Sequence, residues 1–131
     1  MANFLYTPNK NAWLIQGANV VDIDTDNINA TLVRASTYTP NQTTDDFYDD
    51  VTTPVQEADS MLSIVVSGFN VDASNFVFSA VGAGAALDLL IIWKDTTVDA
   101  TGRLIAKYDI SVTPDGNDIN INVHASGLFD L

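Results

Sequence analysis

ALDLLIIWKDTTVDATGRLIAKYD, Ala86–Asp109, sets two apolar runs on either side of a polar connector. The runs are Leu87–Trp93 and Leu104–Tyr108, and the connector, Lys94–Arg103, is rich in Thr, Asp and Gly. Runs of that length separated by turn chemistry read as a pair of neighbouring strands. Leu89–Trp93 (LLIIW) has no polar position, as expected of a strand covered on both faces.

The flanking segments extend the β pattern. Upstream, Met61–Ser67 (MLSIVVS) reads as a strand ended by Gly68, and Phe76–Val81 (FVFSAV) as another, with VDASN as the turn between them. Ile28–Arg34 (INATLVR) alternates, placing Ile28, Ala30 and Leu32 on one side and Asn29, Thr31 and Val33 on the other. Downstream, Asp115-Gly116 marks a turn, and Ile119–Val123 (ININV) turns Ile119, Ile121 and Val123 inward. Residues 8–17 read as a short helix with Thr7 as cap, Pro8 at the first helical position and Gly17 at the stop. Residues 36–60 hold two prolines and four Asp within Asp45–Asp50, which argues against a central strand. Either Asp45–Asp50 makes one helical turn that plants Phe47 and Tyr48 on the core, or those aromatics form an exposed contact.

The expected fold is therefore mainly β. It is one domain over residues 1–131, a two-sheet antiparallel β-sandwich, of which a jelly roll is one form, with one short N-terminal helix.

Composition bounds the function. The 131-residue chain carries 17 acidic residues, 16 of them Asp, against 5 basic ones, for a net charge of −12. Such a surface repels phosphate backbones and anionic lipid, so neither nucleic acid nor membrane is an expected partner. With no cysteine, disulfides, thiolate metal sites and Cys nucleophiles are excluded. The first residues lack the basic start and apolar core of a signal peptide, and no window approaches ~18 apolar residues, so no secretion signal or membrane span is expected.

Candidate chemistry is sparse. Asp22, Asp24 and Asp26 have the spacing that opens a calcium loop, but Asn27 and Val33 stand where an EF-hand needs Gly and Glu. Asp45, Asp46, Asp49 and Asp50 could supply the paired carboxylates of a glycosidase, yet nothing in the pattern sets two of them across a cleft. His124 is the sole histidine, which rules out a His-rich metal site, and no G-x-S-x-G elbow accompanies it. Gly82–Gly84 lacks the G-K-[ST] ending of a phosphate loop. The chain is expected to be no enzyme and to hold no cofactor or metal.

Three segments, LDLLIIWKDTTVDATGRLIAKYD, VTPDGNDIN and the ending ASGLFDL, together resemble a family of small tailed-bacteriophage virion structural proteins. In that family an aliphatic run, an aromatic, K-D-T, a T-S/G-R-L-I-A turn and V-T-P-x-G-G-D follow one another. MANFLY at the start, Leu14–Gly17, Asp24–Val33 and Thr37–Asn41 are similar to it as well, so the resemblance spans nearly the whole chain. Two features depart from the pattern: TPNKNAW replaces a charged first helix, and Gly116-Asn117 replaces a Gly-Gly pair.

The resemblance implies a virion structural role and attaches no catalytic residues. Its expected form is a capsid decoration (cement) protein, made in the host cytoplasm and carried on the capsid surface. It would bind the major capsid protein and self-associate as a trimer or dimer. The alternative is a tail, baseplate or fibre-adaptor protein contacting other virion proteins or host glycan, with Trp13, Trp93, Tyr38, Phe47 and Tyr48 as stacking surfaces. The expected docking residues are Phe4, Leu5, Tyr6, Phe47, Tyr48, Leu128, Phe129 and Leu131, apolar groups at the two ends of the chain and in the acidic loop.

Overall fold

The computed structural model describes residues 3–15 and 19–130, with the backbone alone for Leu14, Ile15 and Asp130. Gly17 and Leu131, expected as helix stop and docking residue, lie outside the described residues. The fold is mainly β with one helix, as the patterning predicts, and every strand pairing is antiparallel.

In chain order the strands are β1 (Phe4–Leu5), β2 (Ile28–Val33), β3 (Gln56–Glu57), β4 (Ile64–Ser67) and β5 (Asn70–Ala73). They continue as β6 (Phe76–Phe78), β7 (Leu87–Lys94), β8 (Leu104–Val112), β9 (Ile119–Ile121) and β10 (Phe129–Asp130). Helix α1 spans Thr7–Ile15, with Pro8 in its first turn where a missing N–H costs nothing. No helix among the described residues is long and apolar enough to cross a membrane. Hydrogen bonding divides the strands into a five-stranded sheet (β1-β8-β7-β2-β3), a three-stranded sheet (β10-β5-β4) and a two-stranded sheet (β6-β9).

The quoted stretch forms the middle of the large sheet. β7 lies between β2 and β8, and its residues Leu89–Trp93 are all buried. Alternation sends Leu90 and Ile92 to one face, with Ile28, Ala30 and Leu32 of β2, where they meet Leu62, ahead of β4, and Phe76, Phe78 and Ile119 of the two-stranded sheet. The other face carries Leu89, Ile91 and Trp93 against Tyr6, Tyr38, Tyr48 and Val51. A polar-free strand is thus the consequence of two cores, one on each side. Opposite the Ile92/Trp93 step, Ile92 pairs with Ala106 and Trp93 with Leu104, so Ile105 is the extra residue of a β-bulge.

The connector returns through a 3₁₀ turn, Asp99–Thr101, to Gly102. A methyl at Gly102 would sit 2.8 Å from the Lys94 carbonyl oxygen and 3.2 Å from the Trp93 ring, so only glycine fits beneath the strand.

One expectation is corrected. VDASN is not simply a turn: Val71–Ala73 belong to β5, which pairs residue for residue with β4. The true turn is Gly68-Phe69, where Gly68 has φ +61 as the first central position of a two-residue hairpin requires.

Candidate functional site

β1 and β10 come from opposite ends of the chain and edge two different sheets, yet they flank one depression. Phe4 and Leu5 are held by antiparallel pairing with Lys107 and Ala106 of β8. Phe129 pairs with Val71 of β5, and the Leu128 N–H donates to the Val71 carbonyl at 2.7 Å. Between them lies a cavity of about 310 Å³, lined by Asn3, Phe4, Leu5, Tyr108, Leu128 and Phe129. The Tyr108 hydroxyl donates to the Leu128 carbonyl at 2.6 Å, tying β8 to the C-terminal segment. Burial pushes the Tyr108 phenol up to about 12, so it stays a neutral donor. Asn3 is fixed from the other side, its Oδ1 accepting from the Asp109 N–H at 2.6 Å.

The cavity wall owes its shape to two local features. Gly127 has φ +93, and a methyl there would lie 2.8 Å from Asn70 Oδ1, so the turn into β10 needs glycine. The Lys107 ammonium is fully buried, ion-paired to Asp109 at 2.9 Å and 4.9 Å from the centre of the Phe4 ring. It thereby anchors Phe4 from beneath by charge and by cation–π attraction.

Four expected docking residues, Phe4, Leu5, Leu128 and Phe129, are therefore brought together, each half-buried. Tyr6 and Tyr48 are not surface groups. Tyr6 is fully buried, its hydroxyl 2.9 Å from that of Tyr38, which donates to Asp45 at 2.7 Å. Tyr48 lies flat on Trp93, ring centres 3.7 Å apart and planes 5° from parallel. The Thr31 hydroxyl joins that stack, accepting from Trp93 Nε1–H at 2.9 Å and bonding the Tyr48 hydroxyl at 3.1 Å. Phe47 is half-buried beneath the Arg103 guanidinium, 4.5 Å from the centre of its ring. The two tyrosines share a reason: each hydroxyl meets a partner distant in sequence, Tyr38 for Tyr6 and Thr31 for Tyr48. Of the helical-turn and exposed-contact readings of Asp45–Asp50, the first describes Tyr48, which opens a 3₁₀ turn, Tyr48–Asp50, against the core.

No family model, curated protein or solved structure matches the chain.

The acidic clusters are used internally. Asp26 accepts from the Asp22 N–H at 2.7 Å and pairs with Lys94 at 2.9 Å. The Asp22 carboxyl lies below its ordinary range, chiefly through a hydrogen bond with Asp24, whose own carboxyl is raised in return. Asp45 accepts from the Asn41 N–H, and Asp50 from the Asp46 N–H at 2.9 Å, closing the turns around them. Partial burial raises the Asp46 carboxyl, and its hydrogen bond with Asp50 adds to the shift. Among the described residues no three His, Asp or Glu side chains are grouped to hold a metal ion. His124 is exposed, its Nδ1 accepting from the Ser126 N–H at 3.0 Å as part of a turn.

Proposed function

We propose that the chain is a structural protein of the tailed-bacteriophage virion, a decoration (cement) protein that docks on the outer shell. Its partner is the major capsid protein, and its place is at the junctions between capsomers. The observation that carries this reading is the sequence resemblance, which runs through Leu87–Tyr108 and Val112–Asn120 and touches nearly every other segment. The geometry is compatible with it. Leu5, Leu128 and Phe129 pack against one core and, with Phe4 at the edge, line one concave spot on an acidic molecule. On a repeating shell even weak contacts of this size add up through multivalency. The packing of the large sheet against the smaller sheets is the sense in which we read the fold as a β-sandwich.

A glycan-binding tail module is the second reading, and it loses support from the burial of Tyr38, Tyr48 and Trp93, three of the five aromatic platforms it would use. A tail or baseplate component contacting only protein keeps the same surface.

Copy number in purified virions, measured against the major capsid protein by quantitative mass spectrometry, tests the proposal. The expected ratio is near one per capsid subunit or one per three-fold junction. A few copies per particle would move the protein to the tail, and its absence from the particle would end the virion reading.

A further inference from the structure

Five large hydrophobic side chains are exposed among the described residues: Met61, Val65, Val66, Phe69 and Val98. Four of them belong to a single hairpin, β4–β5, and its approach. Phe69, at the tip, is 77% exposed, and Val65, in mid-strand, is 62% exposed.

The same region is nearly free of charge. Across Ser60–Leu87 the one charged residue is Asp72, in a chain with a net charge of −12. β4 also ends its sheet, with β5 as its one strand neighbour. Edge strands of stable monomers are usually blunted by a charge, a proline, a bulge or extreme shortness. β3 has Glu57 and a nearby Pro54, and β1 and β10 are two residues long. β4 is the longest of these edges, has no charge or proline, and pairs with β5 without a register shift.

The ladder fixes which backbone groups are open. The Ser74 N–H donates to the Ser63 carbonyl, so the hydrogen-bonded pairs run 63/74, Val65/Asp72 and Ser67/Asn70. The N–H and C=O groups of Ile64 and Val66 then point to the open side, where no strand lies among the described residues. Two residues earlier, the Leu62 N–H is taken by the Ile28 carbonyl, which marks where the free edge begins.

We infer that β4 is a self-pairing edge: two copies of this chain join antiparallel through Ile64–Ser67 across a two-fold axis at Val65. The register follows from the open groups. Ile64 of one copy and Val66 of the other exchange both backbone bonds, and the two Val65 side chains face each other as a close cross-strand pair. Continued outward, the same register carries Phe69 of each copy toward Met61 of the other. One symmetry operation thus covers Met61, Val65, Val66 and Phe69 together, and such a self-complementary patch is what a two-fold interface requires.

Charge points to the same occupant. Repulsion between two copies, each with a net charge of −12, is least where charge is sparsest, and Asp72 is the one carboxylate a basic partner would find in this stretch. The two Asp72 carboxylates end three strand spacings apart, roughly 14 Å, beyond the screening length at physiological salt. The inference does not depend on the virion reading.

Sedimentation of the full chain over a concentration series tests it. The wild type is expected to show a monomer–dimer equilibrium. Val65→Lys sets like charges face to face, and Val66→Pro removes an outward N–H without touching the ladder to β5. Each should raise the dissociation constant by about tenfold or more. Circular dichroism keeps loss of pairing apart from loss of fold. Mixing the folded Val65→Lys and Val65→Glu proteins should restore a dimer containing one of each. A wild type that stays monomeric up to about 1 mM overturns the inference. So does a dimer or trimer indifferent to both substitutions, or a Lys/Glu mixture that stays monomeric.

Discussion

Taken from pH 9 toward pH 12, the protein is expected to unfold before its tyrosines ionise. All four tyrosines of the chain are displaced in the same direction. Burial pushes Tyr48 and Tyr108 up to about 12, and raises Tyr6 and Tyr38 further still. In the unfolded chain each phenol titrates near pH 10. Between that value and the folded one, the native state holds protons that the unfolded state releases, so stability falls as pH rises.

Each phenol costs about 1.4 kcal/mol per pH unit in that window. With part of these rings open to water, the four together remove on the order of 3 kcal/mol by pH 11, a large part of the stability of a small domain. Tyrosinate absorbance should therefore appear in one cooperative step that coincides with loss of the β signal in circular dichroism. Gradual ionisation from pH 10 with the fold intact would show that the phenols are not sequestered as described.

Trp93→Ala should be the most damaging single truncation in the central sheet. It removes a fully packed indole, the partner on which Tyr48 is stacked, and the donor to Thr31. The expected loss is about 3–5 kcal/mol, a fall in melting temperature of roughly 10–20 °C. Tyr48→Phe keeps the stack and gives up one hydroxyl contact, so it should cost only about 1 kcal/mol. Thr31→Val falls between them, because it leaves the buried Trp93 Nε1–H without its acceptor and the Tyr48 hydroxyl without its partner. Thermal melts of the three variants give the order. Equal losses from Tyr48→Phe and Trp93→Ala would mean that the hydroxyl contact, rather than ring packing, holds this side of the sheet.

What could be read from the sequence were the features with a period. LLIIW declared its two covered faces because nothing polar interrupts it, and ININV declared its one dry face by alternation. β1, β3 and β10 are two residues long, too short to carry any period. β5 was hidden because Asn70 precedes Val71 and Asp72 separates it from Ala73, so the segment resembles a turn until it is set beside β4. That Tyr48 meets the core was legible as one of two alternatives for Asp45–Asp50, but its partners there were not. Nothing in a Thr- and Asp-rich loop announces that a hydroxyl in β2 and an indole in β7 wait for it. Convergence of Phe4 and Leu5 with Leu128 and Phe129 depends on β8 and β5 bringing the two ends together, a matter of topology. The open edge of β4 is another such case: MLSIVVS reads as a strand whether or not a neighbour covers it.

The neutral hairpin also bears on how the chain behaves before it has folded. Met61–Val71 contains no charge and no proline and is rich in β-formers, the composition that lets nascent chains stack on one another. What holds unfolded copies apart is the repulsion of the aspartates elsewhere in the chain, and added salt screens that repulsion. Recovery of native protein from denaturant should accordingly fall as ionic strength rises, with the losses traceable to this one segment.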